Sequence, residues 1–385
     1  MSTIKVDGIR SNSASSDAIT LASDGTCTAN ITNRTNKNLI LNGAFQIAQR
    51  GLSSTSSGYH TVDRWNIQNG NTGVTVTQSQ QATSSSDEPY QNGFQNFARI
   101  ALSGAGTTNT NAYMEFQQRM EAQNIANSGW NFKSSSSNIT VSFWFRASTN
   151  QTFYGYLTTS DGTAQRYTFS FTASGNNAWT KITKTISGNS NLDFNNDNGE
   201  GLHLVLTPFY GTDFTNNKTL DAWAASDNTN FMPDMASTWL TAGASTFDIT
   251  GVQLEVGSVA TDFEHRSFAQ ELYLCQRYFE FLKFNYYFVT GYYEGNGNPR
   301  IPLHWNVEKR TTPTVTLPSV GTGSGEIQVT NSGGAYDTSS TTLAANHITQ
   351  IFCKIHGSGY GGSSGTVCSL YLASANSGIK ISSEL

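Results

Sequence analysis

Trp144 and Arg146 stand two places apart in the run Val141-Ser142-Phe143-Trp144-Phe145-Arg146, and this spacing suits recognition chemistry. Side chains alternate along an extended strand, so Val141, Phe143 and Phe145 share one face and Ser142, Trp144 and Arg146 the other. If the phenylalanines face a core, an indole and a guanidinium stand together outside it. A flat indole can stack on the apolar face of a pyranose while a polar neighbour fixes its orientation. Trp130, Trp223 and Trp239 lie in loop-like contexts and are further candidates for such a platform. Packing is the commoner role of a single tryptophan, and Trp65 is read as part of the fold.

Catalytic and metal-binding patterns are scarce. The chain has no His-Glu-x-x-His and no Gly-x-Ser-x-Gly. Glycan cleavage needs two carboxylates flanking a bond, and Asp161, Asp193, Glu200 and Asp221 are available, but no β-helical repeat is present. Gly357-Ser358-Gly359-Tyr360-Gly361-Gly362 matches a dinucleotide pattern without a following helix whose N-terminus would bind the pyrophosphate. Asp193 to Glu200 is rich in oxygen ligands, yet its glycine is one place late for an EF-hand loop, so a solvated turn is expected. Cys27, Cys275, Cys353 and Cys368 are too widely spread for a metal knuckle and read as free thiols, with Cys275 buried. The expectation is a non-enzyme without cofactor or metal.

Composition narrows the class. Only 13% of the residues are charged, against about 25% in ordinary domains. Aromatic residues reach 12%, which supplies the buried area that disordered chains lack. The net charge is −5 and no Lys/Arg cluster occurs, which argues against nucleic acid as a partner. No apolar run is long enough to cross a bilayer, so no membrane insertion is expected. Met1-Ser2-Thr3-Ile4-Lys5 carries no apolar signal region, and export is not expected either.

These side chains need a β scaffold. Residues 1–37 read as a short polar segment with a hairpin at Asp24-Gly25. Residues 38–263 show alternating runs separated by turns, including Tyr167-Thr168-Phe169-Ser170-Phe171 and Leu202-His203-Leu204-Val205-Leu206, as two packed antiparallel sheets require. Gly211 to Thr241 reads as an elaborate loop. A helix is expected over 264–283, opened by a capping box of Ser267 and Gln270. Phe268, Leu272, Cys275, Phe279 and Leu282 follow at spacings of four, three, four and three. That pattern fits either a two-heptad seam between helices or one amphipathic helix on its own domain. Strands return over 284–385, enough for a small C-terminal β-sandwich. The fold class is therefore mainly β.

Two sets of segments carry a family resemblance. Thr246-Phe247-Asp248-Ile249-Thr250-Gly251-Val252-Gln253-Leu254-Glu255-Val256-Gly257, then Phe263-Glu264-His265-Arg266 and Glu271 to Phe279, resemble the module junction of bacteriophage tail-fibre and related virion proteins, especially those of marine phages. Asn38-Leu39-Ile40-Leu41-Asn42-Gly43-Ala44-Phe45, Gln49-Arg50-Gly51 and Asp63-Arg64-Trp65 resemble the opening of a carbohydrate-binding jelly roll. Glu308 to Val315 resembles a segment of the C-terminal tip domains of the same proteins.

The resemblance implies a jelly roll over 38–263, an N-terminal virion anchor over 1–37 and a tip domain over 284–385. It implies a parallel homotrimer meeting along Phe268, Leu272, Cys275, Phe279 and Leu282, with Glu271, Gln276 and Arg277 outside or at the rim. The implied partners are other tail or capsid proteins and a host-surface glycan, and the implied place is the virion, assembled in the host cytoplasm. Such jelly rolls often hold a structural calcium, but Gln46 and Thr250-Gly251 replace the usual acidic positions, so none is expected. A capsid decoration or collar protein without glycan binding is the alternative, and a glycan-cleaving tailspike a more distant one.

Overall fold

The computed structural model describes residues 6–13, 17–21, 23, 27–29, 35–173, 177–283, 286–295, 297–321, 326–331, 336–337, 342–372 and 378–385. Strands β1 (Gly8–Ile9), β2 (Ile19–Leu21) and β3 (Cys27–Ala29) form a small antiparallel sheet with Leu21 opposite Cys27. The expected turn at Asp24-Gly25 lies outside the described residues.

Twelve strands follow: β4 (Ser53–Ser54), β5 (Asn66–Gly70), β6 (Val76–Ala82), β7 (Asn96–Leu102), β8 (Tyr113–Glu121), β9 (Asn138–Ala147), β10 (Thr152–Thr159), β11 (Gln165–Thr172), β12 (Thr180–Ser187), β13 (Glu200–Tyr210), β14 (Trp223–Ala225) and β15 (Thr246–Val256). Single turns of helix, α1 (Glu88–Gln91), α2 (Ala122–Ala126) and α3 (Thr238–Thr241), interrupt the connections. The strands form two six-stranded sheets, ordered β14-β11-β10-β13-β8-β5 and β12-β9-β15-β7-β6-β4. Chain neighbours are mostly not sheet neighbours, the mark of a jelly roll, and every pairing is antiparallel. Alternation sorts the faces as expected. Val141, Phe143 and Phe145 of β9 meet Phe153, Phe171, Leu204 and Leu206 in one core between the sheets. Phe145 stands edge-on to Phe153 and Phe171, with ring centroids 5.3 and 4.9 Å away.

The helix is a correction. α4 runs only over Phe268–Gln276, with Ser267 Oγ accepting from the Gln270 N–H at 3.3 Å. Phe279 and Leu282 then lie on a strand, β16 (Phe279–Lys283), so the five seam residues share no helical face. Cys275 and Phe279 are buried within the chain, while Phe268 stays 59% exposed. Glu271, expected outside, is buried and accepts from the Asn42 N–H at 2.5 Å. The aromatic run favours a strand once a partner edge is available, and that edge is provided further along the chain.

The C-terminal strands are β17 (Tyr286–Tyr293), β18 (Pro299–His304), β19 (Thr314–Thr316), β20 (Ile327–Asn331), β21 (Tyr336–Asp337), β22 (Thr342–Asn346), β23 (Phe352–Ser358), β24 (Val367–Leu372) and β25 (Gly378–Ser382). A three-stranded sheet, β16-β25-β19, and a seven-stranded one, β21-β20-β24-β17-β18-β23-β22, share a second core of Ile301, Leu303, Ile355, Leu370, Ile379 and Ile381. Cys353 and Cys368 are buried there as unpaired thiols.

The resemblance segments converge on the junction between the two cores. Asn42 and Arg64 adopt positive φ, and the Asn42 side chain ties the turn by donating to Ile47 O and Asp63 O at 2.8 and 2.9 Å. Arg64 is buried with its guanidinium 3.5 Å over the Tyr278 ring, paired to Glu384 and donating to Arg119 O at 2.6 Å. Arg50 lies 3.5 Å over Phe279 and pairs with Glu384 at 3.0 Å. Glu121 accepts both Arg277 nitrogens at 2.7 and 2.8 Å and the Tyr278 hydroxyl at 2.5 Å. Lys309, from the tip-like segment, is fully buried and donates to Glu280 at 2.6 Å.

Candidate functional site

The sequence-derived platform residues are placed elsewhere than expected. Trp144 does point away from the main core, but Phe94, Phe263 and Trp179 cover it and leave it 6% exposed. It is a packing residue, contrary to the expectation of an open indole. Arg146 is held by Asp248 at 2.7 Å and lies 4.5 Å over the Trp179 ring. Trp130 is buried among Phe132 and Phe194, and its indole donates to Ser137 O at 3.2 Å. Trp239 is fully buried and donates to Thr246 O. Trp223 closes the sheet edge on β14, donating to Ser187 O at 2.7 Å beside Tyr167. The structure brings none of the five together as an exposed surface.

A different polar and aromatic surface does form, on the outer face of the sheet containing β13. Register collects it. Asn66, Gln117, Val205, Tyr156 and Thr168 follow one another across β5, β8, β13, β10 and β11. Arg119, His203, Thr158 and Arg166 form the adjacent row. With strands about 4.8 Å apart, the first row runs about 19 Å across five strands. The segment after β13 crosses one half of this face. Phe231 packs on Tyr156 and Tyr210 at centroid distances of 5.6 and 5.2 Å, and the Thr168 hydroxyl donates to Phe231 O at 2.7 Å. Arg166 lies 3.8 Å over the Phe231 ring and donates to Asp227 O at 2.6 Å.

Hydrogen bonding on this face is partly unmet. Tyr156 and Tyr210 share a hydroxyl contact of 3.2 Å, Tyr210 donates onward to Glu115, and Gln117 Nε2 donates to Glu115 at 3.0 Å. Glu200 takes Arg119 at 3.2 Å and the Ser160 hydroxyl at 2.8 Å. Asn66 Oδ1, Gln117 Oε1, His203 Nε2, Thr207 Oγ1 and Arg166 Nε, all buried, have no partner within the protein. Buried polar atoms are nearly always paired, so five without a partner on one sheet face are unusual. Burial, then Arg119 and Arg166, push the His203 imidazole down to about 3, so it is neutral across the physiological range. Burial raises the Glu115 carboxyl above its usual range despite the Tyr210 hydrogen bond.

The alternation of β10, β11 and β13 is legible in the sequence, and it turns Tyr154, Tyr156, Thr168, His203 and Thr207 away from the phenylalanines and leucines. Sheet order, which gathers them, is not. Of the carboxylates considered for cleavage, Asp161 accepts from Asn195 and Asp193 pairs with Lys133. Among the described residues no three acidic, histidine or cysteine side chains cluster as metal ligands. Near the first and last strands Arg266 donates to Asn38 O at 2.5 Å and Ile40 O at 3.2 Å and lies 3.3 Å from Glu264.

No protein-family model and no curated protein matches the chain. Among solved structures it is similar to the carbohydrate-binding module CBM4, at 14% identity and a TM-score of 0.30 over 56% of this chain and 98% of that one. It is also similar to the family 11 carbohydrate-binding module of the Clostridium thermocellum cellulase Lic26A-Cel5E, at 11% identity and a TM-score of 0.26 over 53% and 95%. A third likeness is to the enzymatically active domain of bacteriophage CBA120 tailspike protein 4, at 11% identity and a TM-score of 0.31 over 57% of this chain and 21% of that one. At such identities no residue role is carried across.

Proposed function

We propose that this protein is a non-catalytic glycan-binding component of a phage virion fibre, and that the outer face of the β13 sheet is where it binds. One observation carries the glycan reading: aromatic rings and polar side chains, among them the partly exposed Tyr154, Arg119 and Glu200, share one sheet face. Sugars combine apolar ring faces with hydroxyls, and this surface answers both. In this reading residues 1–37 dock on other tail or capsid proteins, 284–385 form the tip, and the assembly is a homotrimer on the particle. The resemblance of the junction segments supports the fibre assignment. Binding of the full chain to a glycan array tests the reading. Saturable binding that Tyr156→Ala or His203→Ala weakens at least tenfold, with unchanged far-ultraviolet circular dichroism, supports it. A structural virion component is the second reading, favoured by the burial of Trp130, Trp144 and Trp239. An array without any bound glycan selects that one.

A further inference from the structure

The seven-stranded C-terminal sheet turns one face to the second core and leaves the other open over β24, β17, β18, β23 and β22. Ile301, Leu303, Cys353 and Ile355 point into that core, so their alternates Arg300, His304, Lys354 and His356 point away from it. Register sets Val367, Tyr292, Arg300, His356 and Ala344 in one row. With strands about 4.8 Å apart, that row runs about 19 Å across the five strands. Tyr292 and Val367 are direct partners and each is 53% exposed. Further along β18, His304 opposes Phe352 on β23, with ring centroids 5.7 Å apart and 32° between the planes.

Charge on this face has one sign. None of the five strands contains Asp or Glu, although the whole chain carries a net charge of −5. Glu294, just past the end of β17, reaches Arg300 at 2.6 Å, and among the described residues Lys354 pairs with no carboxylate. Burial, then Arg300, Lys354 and His347, lower the His356 imidazole from its usual value, the response expected of a locally positive surface. An ordinary solvated face mixes both signs of charge, and its exposed apolar side chains are scattered singly. We infer that this face is a second binding surface, independent of the one on the jelly roll, and that its occupant is an anionic saccharide. Carboxylate, sulfate or phosphate groups pair with Arg300 and Lys354, where charge-assisted hydrogen bonds are the strong ones. The apolar face of a sugar ring rests on Tyr292. His304 and His356 add ring N–H donors between these points.

The test is calorimetry of the full chain with an oligomannuronate, a sulfated and a phosphorylated oligosaccharide, a neutral one of equal length, and a single-stranded oligonucleotide. The expected result is binding of at least one acidic saccharide, with an affinity that falls as salt screens the contacts. Tyr292→Ala and Lys354→Glu are each expected to lower that affinity about tenfold or more. Neither should move the melting temperature appreciably, because neither side chain is buried. Lys354→Arg is expected to keep the affinity. Acidic-saccharide binding that neither loss variant weakens overturns the inference, and so does equal affinity for the oligonucleotide, the sign of charge attraction alone. A change of sedimentation coefficient in either variant would show that a second copy covers the face, and the saccharide assignment falls. Failure of every acidic saccharide to bind also overturns it, while neutral-glycan binding that Tyr156→Ala weakens would leave the jelly-roll reading standing.

Discussion

His203 and Asp63 set opposite pH dependences at single positions. The folded chain holds His203 neutral down to about 3, while the unfolded chain protonates it near the ordinary 6.5. The unfolded state therefore binds the extra proton, and this contribution is complete above about 6.5 and lost as the pH falls toward 3. Arg119, Arg166 and Glu200 are the charged groups facing the ring, and the two arginines reinforce burial in excluding its proton. Asp63 runs the other way. Burial outweighs Arg50 and Gln49 and pushes its carboxyl up to about 6, so the folded state keeps a proton that the unfolded chain releases near 3.8. Its contribution falls as the pH rises between those values. Urea midpoints measured at several pH values separate the two. His203→Gln is expected to lose less stability on acidification than the parent, and Asp63→Asn to lose more. A pair of unchanged profiles would show that neither group is displaced as described.

Arg266 joins elements, and its removal is the clearest element-scale prediction. It bonds the carbonyls of Asn38 and Ile40 and neutralises Glu264 and Glu271, both largely buried. Arg266→Met leaves those carboxylates unpaired and is expected to cost about 3–5 kcal/mol in denaturant unfolding. Arg266→Lys should recover little, because one ammonium cannot reproduce the planar fork. Little in the sequence announces this role beyond the position of Arg266 in a recurring segment. Strand faces were legible, because a period of two assigns Phe143 and Phe145 to one side and Trp144 to the other whatever the partner. What then covers Trp144 was not, since Phe94 and Phe263 come from distant loops. For the same reason Asn66, Gln117, Tyr156 and His203 could not be assembled in advance: each is ordinary in its own strand, and only the non-sequential sheet order makes them neighbours. The helix end was misread because the apolar spacing continues through Leu282. The chain turns at Arg277 and Tyr278, whose side chains both go to Glu121, and the five residues after them pair with β25.

At the scale of the whole molecule the junction couples the two cores. Residues 35–263 alone would keep Arg64, Asp63 and Glu121 and lose Glu384, Arg277 and Tyr278. That fragment is expected to unfold at a lower temperature than the full chain, whose junction should melt with the jelly roll in one calorimetric transition. Phe279→Asp sets a carboxylate beneath Arg50 inside this junction, and its expected effect is a lower melting temperature. Sedimentation of the parent chain tests the proposed trimer independently; a monomer at micromolar concentration would remove that part of the reading. The latch itself has a temporal side. Glu384 is made 320 residues after Arg64. At roughly 5–20 residues per second, a ribosome reaches it on the order of tens of seconds later. Until then Arg64 lacks its carboxylate, Arg50 has only Asp63 and β16 lacks its partner strand, so a nascent or interrupted chain presents an unlocked jelly roll. Only a polypeptide translated as far as Glu384 can close it.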